Sequence, residues 1–268
     1  MKLPFVISIP HCSSMVPEEI RQSMVLSDLE IEESVDICSK EIFQFLPAEV
    51  ILYAQWSRLT VDLNRDPRRR DKKGVIAQVD YYGRTIYNSG FIVDEKEIER
   101  RLEKYYRPFH KRLQEAFRHH TIKALFDCHS LNGIGPAEAP DAGGRRKDVI
   151  LSNNGDRNGN PDGNRGRITC PPEYMHMMKK AFETEGFSVS INDPYAGGFI
   201  MKHYGNQLPF NGKISVQIEI NHDLCLAPSS NYPSAERVNN VKNRVLQAFL
   251  EIAGKLDLAP VANTRQAI

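Results

Sequence analysis

Seven short runs rich in β-branched, leucine and aromatic residues, interleaved with long amphipathic stretches, constrain this chain more than any other feature. They cover 4–9 (PFVISI), 49–54 (EVILYA), 58–63 (RLTVDL), 122–127 (IKALFD), 148–152 (DVILS), 187–191 (FSVSI) and 214–220 (ISVQIEI). Most are continuously apolar, the pattern of strands covered on both faces. Helical periodicity predicts helices over about 30–46, 94–120, 172–185 and 234–254. In the second of these, Ile98, Leu102, Tyr105, Tyr106, Phe109, Leu113 and Phe117 recur every three or four residues, and Asp94 is placed as an N-cap. The alternation predicts an α/β fold with helices on both faces of a mixed, mostly parallel sheet.

A length of 268 residues suits one large domain or two small ones and is enough to bury a sizeable core. The formal net charge of +1 gives no global attraction to nucleic acid or to an anionic membrane, so neither is expected as a partner. No apolar run approaches membrane-spanning length, and the N-terminal KLPFVISIPH reads as a first strand rather than a signal segment. The five cysteines, Cys12, Cys38, Cys128, Cys170 and Cys225, are widely spaced and contain no C-x-x-C pair. That argues against a disulfide framework and a structural zinc knuckle, and fits a reducing cytoplasm. Two polar, glycine-rich segments, 132–147 and 153–167, are expected as long loops.

Three strands run out into polar clusters: PFVISIPH at His11, ALFDCHS at His129, and SVQIEIN at Glu219 and Asn221. Ligands of open α/β sheets gather beyond the carboxyl ends of strands. Two imidazoles and a carboxylate delivered there are the donors a catalytic zinc ion takes, although ordinary strand ends explain the same residues as well. In SRLTVDLNRDPRRR, Arg58, Asn64 and Arg65 lie close together and suit a carboxylate, with Asp62 placed to orient an arginine. The run Arg68–Arg70 with Lys72 and Lys73 reads as a solvated basic loop. In NDPYAGGFIMKHYG, Gly197 and Gly198 permit close backbone approach, and Tyr195, His203 and Tyr204 offer polar side chains. Strand alternation turns Cys128 away from the face of His129, so it is not expected to be a nucleophile.

The motifs SIPHCSSMVPEEI, SRLTVDLNRDP, FDCHS, NDPYAGGFIMKHYG and VQIEIN, together with YYRPFH on the long helix, occur in an order that resembles the N-formylglutamate amidohydrolase family. That family is itself distantly similar to zinc carboxypeptidases and aspartoacylases. The resemblance implies one catalytic domain over 1–268, a zinc-carboxypeptidase-like three-layer α/β/α sandwich, and hydrolysis of an N-acyl amino acid, foremost N-formylglutamate. It implies zinc (Zn2+) on His11 and His129, with Glu219 as general base. Carboxypeptidase-like sites carry a His-x-x-Glu pair, but Ser14 stands three residues after His11; the third ligand is expected at Asp36, with Glu18 the alternative. Arg58, Asn64 and Arg65 are implied to hold the substrate carboxylate, and Tyr195, Gly198, Asn221 and His110 to line its pocket. Two other functions compete: a non-catalytic carboxylate-binding module on the same fold, and a metal hydrolase of another substrate.

Overall fold

A computed structural model of the chain describes residues 2–207 and 212–258. In chain order its elements are β1 (Leu3–Ile9), α1 (Glu18–Arg21), α2 (Asp28–Glu32), α3 (Ser39–Phe43), β2 (Ala48–Tyr53), α4 (Glu95–Arg101), a π-helical turn (Leu102–Tyr106), α5 (Arg107–Arg118), β3 (Ala124–Leu131), β4 (Val149–Ser152), α6 (Pro172–Thr184), β5 (Val189–Ile191), α7 (Phe199–Gly205), β6 (Ile214–Asn221) and α8 (Ala235–Leu258). The six strands form one sheet in the order β2-β1-β3-β6-β4-β5. All neighbours are parallel except β4 against β6, so the sheet is mixed and mostly parallel, as the apolar runs predict.

Both faces of the sheet are covered, giving the α/β/α layering. On one face Phe5, Ile7, Phe126, Cys128, Val216, Ile218 and Ile220 pack with α3, α6 and α8 through Phe43, Phe182 and Phe249. Fully burying such a side chain contributes roughly 1.5–3 kcal/mol, and this layer is where most of it is gained. On the other face Val6, Leu52 and Leu125 meet Leu113 and Phe117 of α5 and Ile200 and Tyr204 of α7. A separate apolar cluster binds 58–63 to α4 and the π turn through Leu59, Val61, Leu63, Ile98, Leu102 and Tyr106. Among the described residues no helix is long and apolar enough to cross a membrane.

Three elements depart from expectation. Residues 58–63 are not a strand. Their apolar side chains are buried as the pattern requires, but in the separate cluster, and their backbone closes turns such as Thr60 N–H to Ser57 O and Arg65 N–H to Asp62 O. The helix expected over 30–46 is two short helices, because Cys38 takes a left-handed backbone (φ 63°) and the chain between them is tied elsewhere. There the Asp36 N–H donates to His11 O and the Ser130 hydroxyl to Ile37 O. The long helix over 95–118 forms, with the Asp94 carboxylate accepting from Glu97 N–H, but carries a π turn at its centre. Such turns shift the register of the side chains that follow.

Candidate active site

The register of the central strands builds the floor of a pocket. His129 of β3 stands directly beside Glu219 of β6, and both strands are held by a continuous ladder. The FDCHS segment therefore lies inside a strand rather than beyond its end, since β3 continues to Leu131. Alternation sends Cys128 into the core, where burial holds its thiol well above the ordinary range. The same alternation turns Asp127 and His129 to the opposite face. His11 follows β1 and brings a second imidazole, whose ring centre lies 4.8 Å from that of His129.

Each imidazole is oriented by a buried aspartate. His11 Nε2 lies 2.8 Å from Asp62 Oδ1, and His129 Nε2 lies 3.2 Å from Asp127 Oδ2. With the ring protons on those nitrogens, both Nδ1 atoms are bare and face Asp36, at 3.6 Å from His11 and 2.7 Å from His129. A carboxylate behind each imidazole fixes its tautomer and raises its basicity, the usual support of a metal-binding histidine. The donor atoms of His11, Asp36 and His129 lie within 4.8 Å of one another, and two imidazoles with one carboxylate suit zinc with a coordination position left open. Burial alone would raise the Asp36 carboxyl, but hydrogen bonds and charge from the His11 and His129 rings, when these carry a proton on Nδ1 as well, outweigh it and hold it low. Glu18 sits on α1, hydrogen-bonded to Gln22, and is not part of this cluster.

Glu219 is buried beside the cluster, with one carboxylate oxygen accepting from Gln217 Nε2 at 2.9 Å. Burial pushes its carboxyl up to about 8; His129 and Arg58 oppose the rise, while Asp36 and Asp127 add to it. An acid so perturbed, in a cleft among side chains that could hold a metal ion, is poised to exchange protons near neutral pH.

The 58–65 segment straps the other side of the pocket. Arg58 Nη2 donates to Asp62 at 2.8 Å, and its Nη1 faces Asp36 at 3.7 Å. Arg65 is less committed: its Nε has no hydrogen-bond partner and lies 3.8 Å from Asp62. Asn64 is buried and fully engaged. Its amide nitrogen donates to Asp127 at 2.8 Å and lies 3.0 Å from His129 Nε2, and its oxygen accepts from Ile200 N–H. Gly198 lines the pocket because any Cβ there would overlap the Asn64 amide; its N–H donates to Gln217.

One cavity of about 200 Å³ contains His11, Asp36, Arg58, Asn64, Arg65, His129, Tyr195, Gly198 and Glu219 in its lining. The structure thus brings together nine of the eleven residues to which the resemblance assigns a ligand, base or substrate-binding role. The other two stand apart. Asn221 turns its side-chain oxygen to Asp223 N–H. His110 is stacked on Tyr106, with Nε2 donating to Leu63 O at 2.9 Å, and burial lowers its pKa to about 3, so it is a neutral support for the strap. Tyr81, Gln217 and His222 also line the cavity, and Asp127 supports it from behind; the sequence reading assigned none of them a part. Asp127 and Gln217 carried a usable signal, standing two residues before His129 and Glu219 on the same side of their strands.

Residues 3–226 match the family model described as N-formylglutamate amidohydrolase. An N-formylglutamate deformylase of Pseudomonas putida is 24% identical, covering 93% of this chain and 92% of its own, and one of Pseudomonas aeruginosa is 25% identical over 82% and 80%. The crystal structure of an N-formylglutamate amidohydrolase from Ralstonia eutropha superimposes with a TM-score of 0.75 at 21% identity, covering 96% of this chain and 94% of that one. A gene product of Agrobacterium tumefaciens follows with a TM-score of 0.67 at 21% identity, covering 95% and 90%. At those identities the two structures speak for the fold, while the sequence match across most of the length carries the assignment: the chain belongs to the N-formylglutamate amidohydrolase family.

Proposed function

We propose that this chain is a zinc-dependent amidohydrolase that converts N-formyl-L-glutamate to formate and L-glutamate. The observation that carries the reading is the convergence of two aspartate-backed imidazoles on Asp36, beside the buried acid Glu219, in a cavity edged by Arg58 and Arg65. Relatives named N-formylglutamate deformylase support the substrate. A divalent cation such as zinc, held by His11, Asp36 and His129, would supply a Lewis acid for the amide carbonyl and lower the pKa of water toward 7.

The chain's own groups do the rest. Glu219 takes a proton from the attacking water and returns it to the departing amide nitrogen, so the leaving group departs as a neutral amine. Gln217 holds the Glu219 carboxylate in place through its amide. Arg65, which lines the cavity, binds the substrate's α-carboxylate and orients the amide toward Glu219. Arg58, engaged by Asp62, lends charge to the same side while fixing the carboxylate that holds His11. Hydrophobic packing of the strap against the π turn keeps these groups in register.

Elemental analysis of the purified protein, combined with formate release from N-formylglutamate, tests metal and reaction together. One zinc per chain and stoichiometric formate are expected. A protein that binds no divalent metal, or that stays inactive when loaded with zinc, removes the proposal.

A further inference from the structure

Three loops meet over the pocket at Tyr81, Tyr195 and Arg146. Tyr81 and Tyr195 both line the cavity, and their hydroxyl oxygens lie 3.1 Å apart. Arg146 is buried behind them. Its Nη2 donates to the Tyr195 hydroxyl at 3.1 Å, and its guanidinium lies 5.3 Å from the centre of the Tyr195 ring. The same guanidinium grips Asp141 through Nε and Nη2, both at 2.7 Å, and donates to the Asn132 carbonyl at 3.1 Å.

The proton count of this group is unbalanced toward the pocket. A guanidinium only donates, so Tyr195 must accept from Arg146. Between the two phenols one proton is shared. Whichever phenol donates across the 3.1 Å contact, the other keeps a proton with no acceptor inside the pair. Burial, with Tyr81 alongside, raises the Tyr195 phenol above its ordinary range, so Tyr195 stays protonated and is a donor rather than a base.

The position of the pair decides what it meets. The α-carboxylate of an N-acyl amino acid is one carbon from the scissile nitrogen and must lie close to the floor. Arg65 serves it there, three residues from the Asp62 that holds His11. The phenols come from segments outside the strands and line the same cavity, so they are available to the part of a substrate that extends away from the amide. We propose that Tyr81 and Tyr195, positioned by Arg146, form a subsite that donates a hydrogen bond to the side-chain carboxylate of the N-acyl amino acid. This deepens the functional reading above and rests on it.

The pair is redundant by construction, because either phenol alone retains a proton to give. Tyr81→Phe and Tyr195→Phe are therefore expected to cost only a few-fold each, while the double variant loses the subsite. Zinc-loaded wild type and variants are compared on N-formylglutamate and N-formylnorvaline, whose side chain replaces the carboxylate by a methyl group. Preference for N-formylglutamate in kcat/KM should fall on the order of 10- to 100-fold in the double variant, more than the product of the single losses, as for a lost hydrogen bond to a charged group. Arg146→Lys should raise KM for N-formylglutamate and leave kcat within a few-fold, the signature of a positioning residue. An unchanged preference in the double variant overturns the subsite, as does an equal loss on both substrates. Calorimetric binding of glutarate, which needs no turnover, separates this from the functional reading. Inactive wild type that binds glutarate, with weakened binding in the double variant, refutes the reaction but keeps the subsite. Absent wild-type binding, or equal affinity in both proteins, refutes the subsite.

Discussion

The floor and the rim of the pocket are built by different means. On the floor, His129 and Glu219 are neighbours in a parallel ladder, and neither can move without disturbing strands buried on both faces. At the rim, Tyr81, Arg146 and Tyr195 belong to loops and are joined only by side-chain contacts. The difference teaches where each kind of function is safest. The proposed base and one proposed metal ligand sit on the sheet, whereas the groups proposed to choose among substrates sit on loops, which tolerate change. The strap 58–65 lies between the two, being loop in backbone but anchored like an element by Tyr106, which donates to Arg65 O, and His110, which donates to Leu63 O.

Substitutions on the floor should strike reaction and metal, and those at the rim only selectivity. The largest effect is expected for His11→Ala or His129→Ala: loss of most bound metal, and at least about a 10³-fold fall in kcat/KM, since metal polarisation is worth several kcal/mol. Asp36→Ala should behave alike, and Glu18→Ala should change neither; metal analysis of the four proteins decides whether the third ligand is Asp36. Next, Glu219→Gln should keep the metal and the fold while kcat falls by roughly 10²–10⁴. Near-normal turnover in a folded, zinc-loaded Glu219→Gln protein would sink the general-base role.

The same substitution has a pH signature in the metal-free protein. Burial raises Glu219 to about 8 in the folded state, so the folded chain holds this proton more tightly than the unfolded one. The stability this gives is fully present below the ordinary glutamate range and is lost as pH rises through about 8. Thermal melts of metal-free wild type should therefore fall over that window relative to Glu219→Gln, and parallel curves would contradict the burial argument. A smaller effect is expected behind the ligands: Asp127→Asn or Asp62→Asn should weaken metal affinity about 10- to 100-fold, the usual cost of losing the group that orients a metal-bound histidine. The smallest test concerns the far side of β3. Cys128→Ala should cost on the order of 1 kcal/mol in stability and leave kcat within a few-fold, because its thiol faces the core. A large loss of turnover there would erase the distinction between the two sides of the strand.

The sequence by itself determined the sheet and the face on which two of its cavity-lining residues stand. Continuous apolar runs report burial on both faces, and period-two alternation separates His129 and Glu219 from Cys128, Ile218 and Ile220, because a strand can turn a side chain only one way or the other. Burial at 58–63 was equally legible, but the pattern records only that side chains are covered. It does not say where the backbone hydrogen bonds go, and here they close turns instead of joining the sheet. Asp36 is expected as a ligand from the resemblance, but within one continuous helix; the contacts of Asp36 N–H with His11 O and of Ser130 with Ile37 O, spanning 25 and 93 positions of chain, broke that helix and carried the carboxylate inward. His110 followed the helical period to the buried side, yet that period cannot specify which partner waits there; the strap's Leu63 carbonyl took its proton. Tyr81, Arg146 and Tyr195 lie on irregular segments without any period, so only the closing of three loops over one sheet edge decided that they meet.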